Sequence, residues 1–124
     1  MINFQIYKNG QQLAFEKNNV NFNDKNFQTL FIFHGLYGRG KNWQTLSKKL
    51  TKKENQIVVT VDLRNHGGNK FEEDISYILM KNDIISLFNY LSVEKTNLLG
   101  HSMGGKLAMI ITLLESKYVN KANS

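Results

Sequence analysis

The chain has 124 residues, of which 41% are hydrophobic and 21% are charged. This composition is typical of one small globular domain with a single core. Cysteine is absent, which excludes disulfide bonds and thiolate metal sites. The net charge is +6, but the lysines are spread from Lys8 to Lys121 instead of clustering on one element. The charge therefore does not indicate a nucleic-acid interface.

The N-terminal segment alternates apolar and polar residues and lacks the continuous apolar stretch of a signal peptide. No apolar run approaches the roughly 20 residues that are needed to cross a bilayer. We therefore expect a cytoplasmic protein with no membrane partner. The Asp, Glu and His residues show no metal-ligand spacing, and nothing in the sequence requires a metal or a cofactor.

Strand and helix patterns alternate along the chain. Apolar and polar residues alternate around Phe4-Ile6 and again around Leu13-Phe15, and Asn9-Gly10 separates the two segments. This pattern predicts a β-hairpin with a type I′ turn. Three apolar runs then predict buried strands, at 29–33, 57–61 and 97–99. Helical spacing predicts three helices between and after these strands, with one apolar face each. Those faces comprise Trp43, Leu46 and Leu50; Met80, Ile84, Leu87 and Leu91; and Leu107, Ile110, Ile111 and Leu114.

This order of elements predicts an α/β fold in which a parallel sheet lies between two layers of helices. Such sheets bind ligands beyond the carboxyl ends of their strands. We find no repeat, proline or Gly/Ser linker that would divide the chain, so residues 1–124 are expected to belong to one domain.

The last predicted strand is followed by Gly100, Ser102 and Gly104, which fit the pattern G-x-S-x-G between a strand and a helix. A sharp turn of this kind raises the serine hydroxyl above the sheet, and its small neighbours let strand and helix approach closely. The hydroxyl would lie at the positive end of the helix, near the backbone N–H of Met103. This environment suits acyl transfer.

The same segment also fits the phosphate-binding pattern G-x-x-x-x-G-K, from Gly100 to Lys106. Asp62, at the end of an apolar strand, would then resemble the metal-binding Asp of such nucleotide-binding proteins. Two features disfavour this alternative. Leu107 occupies the position of the Mg²⁺-binding hydroxyl, and the Asp62 strand precedes the loop.

Two further loops follow buried strands. In the first, HGLYGRGKNW, we interpret His34 as a structural imidazole bonded to nearby backbone and Trp43 as a core anchor. In the second, VDLRNHGGN, we expect a structural pair of Asp62 and Arg64, while His66 has no assigned role. His101 precedes Ser102, so its side chain should leave the opposite face of the turn and cannot be the base of its neighbour.

The three segments HGLYGRGKNW, VDLRNHGGN and LLGHSMGGKLAM, in this order and spacing, resemble the small esterase branch of the α/β-hydrolase superfamily. The resemblance covers about residues 30–109. It implies a sheet ordered 1-2-4-3-5 and hydrolysis of carboxylic esters or thioesters through an acyl-serine. Ser102 would be the nucleophile, and the N–H groups of Leu36 and Met103 would form the oxyanion hole. An ester or acyl substrate would bind beside Gly35, Leu36, Tyr37 and His101.

In this superfamily an Asp or Glu and then a His follow the nucleophilic serine along the chain, whereas no histidine follows His101 here. The resemblance also indicates that the chain ends near the start of the sixth strand, after the N-terminal half of the domain. We therefore expect a truncated and nearly inactive hydrolase. An alternative is a non-catalytic module that associates with another chain through the unpaired edge of the fifth strand.

Overall fold

A computed structural model describes residues 2–15, 20–35, 43–64 and 70–123. The described residues form six strands, namely β1 (Phe4–Lys8), β2 (Gln11–Leu13), β3 (Gln28–Phe33), β4 (Gln56–Val61), β5 (Thr96–Gly100) and β6 (Val119–Asn123). The helices are α1 (Gln44–Lys53), α2 (Lys70–Leu91) and α3 (Met103–Leu114), and a 3₁₀ turn at Ser116–Tyr118 leads into β6. No described helix is long and apolar enough to span a membrane.

The strands form one mixed sheet in the order β2-β1-β4-β3-β5-β6. Strands β3 to β6 are parallel, and β1 is antiparallel to both β2 and β4. The expected order 1-2-4-3-5 was therefore wrong in its first two positions. Ile6 and Tyr7 are both fully buried on opposite faces of β1, as suits an inner strand. The short β2 exposes Gln11 and Gln12, and polar residues are tolerated at an edge.

The chain includes a sixth strand, which corrects the prediction that it stops before one. Strand β6 pairs in parallel with β5, so the predicted unpaired edge of the fifth strand was also wrong. The register shifts at Thr96/Asn97, which leaves Val119 and Ala122 as the half-buried positions of β6. Their spacing of three residues hides the alternation by which strands are recognised.

The predicted hairpin turn is confirmed, because Asn9 and Gly10 have φ values of 54° and 79°. These are the positive values that a type I′ turn requires. The N–H of Gly10 donates a hydrogen bond of 3.0 Å to the Thr51 hydroxyl, which joins the hairpin to α1. The second strand lies slightly earlier than predicted, and Phe15 beyond it packs edge-on against Phe4.

Helices cover both faces of the sheet, which confirms the predicted three layers. The main core lies between the sheet and α2 and α3, where Phe31 meets Phe88 with ring centroids 4.8 Å apart. A smaller cluster on the other face contains Ile32 and Val58, with Trp43 packed against it. Trp43 is therefore a core anchor, as predicted.

The predicted apolar face of α1 was wrong at Leu46. Its buried residues are Ser47 and Thr51, whereas Leu46 is 39% exposed. The Thr51 hydroxyl donates to the Ser47 carbonyl at 2.9 Å within the helix and accepts from the hairpin turn. The small side chains of Ser47 and Thr51 thus take the buried positions of the helix in place of leucines. These bonds satisfy the Thr51 hydroxyl, whereas the Ser47 hydroxyl has no hydrogen-bond partner among the described residues.

Candidate active site

The turn between β5 and α3 holds Ser102 in an unusual backbone conformation, with φ of 56° and ψ of −114°. Only His101 and Ser102 separate the end of β5 from the start of α3. The Ser102 carbonyl accepts the N–H groups of Gly105 at 2.9 Å and Lys106 at 3.2 Å. A non-glycine residue at positive φ is strained, and such strain concentrates at functional sites.

Two glycines permit the close approach on which this turn depends. A Cβ on Gly100 would collide with the carbonyl of Gly104. A Cβ on Gly104 would collide with the Phe33 carbonyl and would lie 2.7 Å from the His34 carbonyl oxygen. The first turn of α3 is therefore pressed directly against the end of β3, so both glycines of the G-x-S-x-G pattern have a steric role.

The Ser102 residue is exposed at the N-terminus of α3, and its hydroxyl makes no capping bond to that helix. The hydroxyl is thus available beside the positive end of the helix dipole. Met103 is the first residue of α3 and is buried. Its proposed partner in the oxyanion hole, Leu36, lies outside the described residues, as does Tyr37.

The conformation of this turn argues against the phosphate-binding alternative. A phosphate-binding loop needs several consecutive non-helical residues whose N–H groups surround the phosphates. Here residues from Met103 onward are helical. Lys106 lies within α3, and its ammonium is 4.5 Å from the ring centroid of Tyr77, in a cation–π contact.

His34 connects two loops at the carboxyl ends of neighbouring strands. The residue is 4% exposed, and its Nε2 accepts a hydrogen bond of 2.9 Å from the N–H of Leu63. Its Nδ1 lies 2.7 Å from the carbonyl oxygen of Gly35. Because the N–H of Leu63 can only donate and the carbonyl of Gly35 can only accept, the ring is neutral with its proton on Nδ1. The predicted structural role of His34 is confirmed.

Gly35 and His101 both lie next to Ser102. A Cβ on Gly35 would be 3.0 Å from Nδ1 of His101 and 3.4 Å from Cβ of Ser102. The exposed His101 also faces Trp43, with ring centroids 6.4 Å apart and planes at 62°. The structure thus brings two of the predicted substrate-binding residues, Gly35 and His101, beside the candidate nucleophile. Their contact with a substrate stays a prediction.

Arg64, which follows β4, forms a different ion pair from the expected one. Arg64 forms two hydrogen bonds of 2.7 Å with Asp83 of α2, which corrects the predicted pairing of Arg64 with Asp62. The two residues are 19 positions apart, so no local pattern could identify the partner. His66 lies outside the described residues.

No group of three His, Asp or Glu residues able to hold a metal ion occurs in the part of the chain that the structure describes.

Comparison with known proteins identifies the fold family. Residues 28–122 match the family model of the alpha/beta hydrolase fold. The chain is 38% identical over 92 residues to the sn-1-specific diacylglycerol lipase ABHD11 of Xenopus laevis, covering 74% of this chain and 30% of the relative. It is 32% identical over 99 residues to esterase YbfF of Escherichia coli, covering 80% of this chain and 38% of the relative.

A solved structure agrees with these sequence relatives. A marine microorganism esterase superposes with a TM-score of 0.72 at 30% identity, covering 98% of this chain and 40% of the esterase. The chain thus spans well under half the length of the relatives that it matches. The family match, the sheet and the elbow at Ser102 agree, and the chain belongs to the α/β-hydrolase family.

Proposed function

We propose that this chain provides the nucleophile-bearing part of a carboxylic ester hydrolase that acts through an acyl-serine on Ser102. The observation that carries the proposal is the backbone of Ser102, which is strained at φ of 56° in a turn between a strand and a helix. The names of the relatives, a diacylglycerol lipase and two esterases, favour an ester substrate.

In the proposed reaction, the Ser102 oxygen attacks the acyl carbonyl carbon while a base takes the hydroxyl proton. The N–H of Met103 stabilises the resulting oxyanion together with a second donor, for which Leu36 is our candidate. Collapse of the tetrahedral intermediate transfers the acyl group to Ser102, and the leaving alcohol or thiol takes up the proton. Water then releases the acid by the same steps and regenerates the hydroxyl.

The base is the component for which the described residues offer no candidate. Both ring nitrogens of His34 already bond to backbone, and His101 is the immediate neighbour of Ser102. No histidine follows His101 in the sequence. Enzymes that lose their catalytic triad retain roughly 10³–10⁴-fold acceleration over water. We therefore propose that the 124-residue chain on its own is a very slow esterase.

A direct test measures labelling of the chain by a fluorophosphonate probe and its hydrolysis of p-nitrophenyl butyrate. We expect slow labelling, restricted to Ser102, and turnover that exceeds the uncatalysed rate by no more than roughly 10³–10⁴-fold. The Ser102→Ala variant should lose the remaining labelling. Labelling that persists in this variant would contradict the role of Ser102. Brisk turnover by the wild-type monomer would contradict the proposal that the chain lacks a catalytic base.

The strain at Ser102 gives a separate prediction about stability. Ser102→Gly should stabilise the fold by about 1–2 kcal/mol, because glycine tolerates positive φ without the steric cost of Cβ. Ser102→Ala is the matched control, since it also removes the hydroxyl but keeps Cβ, and it should be nearly neutral. Thermal unfolding followed by circular dichroism measures both. Equal melting temperatures for the two variants would show that the elbow is not strained.

A second candidate function is a non-catalytic module that binds another polypeptide. It is favoured by the outer edge of β6, with which no strand pairs among the residues that the structure describes. An open edge in a parallel sheet is a ready template for strand addition.

A further inference from the structure

A cavity of about 490 Å³ opens at the amino ends of the parallel strands. Its walls are the loop before β3, the loop before β5 and the segment that leads into β6. Ser102 follows the carboxyl end of β5, so the five residues of that strand separate it from the cavity by about 16 Å. Ligand cavities in proteins measure roughly 300–1,000 Å³. This one can therefore hold a small molecule, at the opposite end of the strands from the candidate nucleophile.

Hydrogen bonds between separate segments fix the walls of the cavity. The Nδ2 of Asn23 donates to the carbonyl of Ser92 at 2.7 Å, and its Oδ1 accepts from the N–H of Glu94 at 3.0 Å. One side chain thus joins the loop before β3 to the loop before β5. The Thr96 hydroxyl also ties the start of β5 to β3, by donating to the Thr29 carbonyl at 3.0 Å. The cavity is therefore largely pre-formed, as ligand sites usually are.

The lining of the cavity combines an apolar surface with side chains of both charges. Phe22 is 4% exposed and Phe27 is half-buried, and these two supply the apolar surface. The charged side chains are two carboxylates and two ammonium groups, namely Asp24, Glu94, Lys95 and Lys117. None of these four forms an ion pair with any other described residue, although the Lys117 ammonium lies 5.2 Å from the ring centroid of Tyr118. Both signs of charge are thus available to a ligand.

This balance of charge selects the class of ligand. A phosphate or another simple anion would face the two carboxylates of the cavity, and a metal ion would face its two ammonium groups. Like charges brought together in this way oppose binding. A neutral apolar molecule would contact the phenylalanine rings but would leave all four charges unused. A zwitterion carries both signs on one molecule and is complementary to the whole lining.

We propose that this cavity binds a zwitterionic α-amino acid with an apolar side chain. The two lysines hold its carboxylate, the two carboxylates hold its ammonium group, and its side chain packs on the two phenylalanine rings. At the affinity per non-hydrogen atom that is usual for small ligands, we expect a dissociation constant on the order of 1 mM. This binding goes beyond the proposed hydrolysis and does not depend on the chemistry of Ser102.

The test titrates L-phenylalanine into the isotopically labelled chain and follows the backbone amides by NMR. We expect saturable shifts at Asn23, Glu94 and Lys95, and none at Ser102. Two analogues then isolate the two charges of the ligand, because 3-phenylpropionate lacks the ammonium group and phenethylamine lacks the carboxylate. Each analogue should bind roughly tenfold more weakly than L-phenylalanine, since it loses the hydrogen bonds between oppositely charged groups at one end.

Variants with one charge removed test the lining itself. Glu94→Gln and Lys95→Gln should each weaken binding of L-phenylalanine by roughly tenfold, with the melting temperature of the wild type because both side chains are exposed. Lys49→Gln is the matched control, since it removes an exposed lysine of α1 that does not line the cavity, and it should leave the affinity unchanged. Ser102→Ala should also bind as the wild type does, which separates this site from the proposed function.

Three results would overturn the inference. The first is a titration of the wild-type chain with L-phenylalanine that gives no saturable shift. The second is binding of either analogue as tightly as L-phenylalanine, which would show that the lining does not recognise both charges. The third is wild-type affinity in Glu94→Gln and Lys95→Gln, which would place the ligand elsewhere on the protein.

Discussion

Gly104→Ala is expected to destabilise the domain by about 3 kcal/mol or more, at the upper end of the usual cost of overpacking. The added methyl group would overlap with the carbonyl oxygen of Phe33 and lie 2.6 Å from the carbonyl carbon. That carbonyl also accepts a hydrogen bond of 3.1 Å from the N–H of His101. Neither the backbone of α3 nor that of β3 can move aside without breaking this hydrogen bond between β3 and the residue before Ser102.

The sign of the effect makes this prediction specific. In a helix that packs against nothing, replacing Gly by Ala stabilises the protein by roughly 1 kcal/mol. A loss of stability in Gly104→Ala would therefore show that this position contacts β3. Gly35→Ala is a graded control, because its nearest obstacle is the movable His101 imidazole at 3.0 Å, and a smaller loss is expected. Chemical denaturation measures both variants. A Gly104→Ala protein as stable as wild type would contradict the close approach of α3 and β3.

His34→Ala is the second variant for which a large loss is expected, of about 2–4 kcal/mol. Removal of the ring leaves the N–H of Leu63 and the carbonyl of Gly35 without their partners, and each unsatisfied buried group costs about 1–3 kcal/mol. The loss should appear in denaturation midpoints. It should also accelerate hydrogen exchange at the Leu63 amide, because that proton is the one donated to Nε2.

Two conservative variants separate the two bonds of His34. The amide nitrogen of Asn can replace Nδ1 and donate to Gly35, whereas the amide oxygen of Gln can replace Nε2 and accept from Leu63. We expect each variant to recover part of the stability lost in His34→Ala, and only Gln to restore protection of the Leu63 amide. If Asn and Gln restored that protection equally, the proton would not reside on Nδ1 as inferred.

The hairpin turn and the elbow were predicted correctly because residues close together in the chain determine their conformation. Positive φ at Asn9 and Gly10 is encoded by the two residues themselves, and the strand, serine and glycines around Ser102 specify the elbow within a few positions. The main errors involve competition between distant segments. The sequence does not show that β1, and not β2, is the strand that pairs with β4. The irregular pairing of β6 with β5 hides the alternation by which β6 could have been recognised.

The candidate site was predictable to the same extent. The role of His34 followed from its position after a buried strand, but its partner Leu63 could only be located once β3 and β4 were placed side by side. The pairing of Arg64 with Asp83 depends on where α2 lies, which no residue near Arg64 reveals. Ser47 and Thr51 were missed because a hydrophobic pattern does not count small hydroxyl side chains as core residues, and the Gly10 partner of the Thr51 hydroxyl lies 41 positions away.

The central position of β3 has a consequence for how the domain assembles. β3 pairs with β4 from nearby in the chain, but its other neighbour, β5, arrives much later: the Thr96 hydroxyl donates to the Thr29 carbonyl 67 residues away. Closing so long a segment is slow, because its entropy is lost before the contacts form. The strained turn after β5 can close only once that strand has docked. Folding should therefore complete the nucleophile late, and relief of its strain should slow unfolding more than it speeds folding.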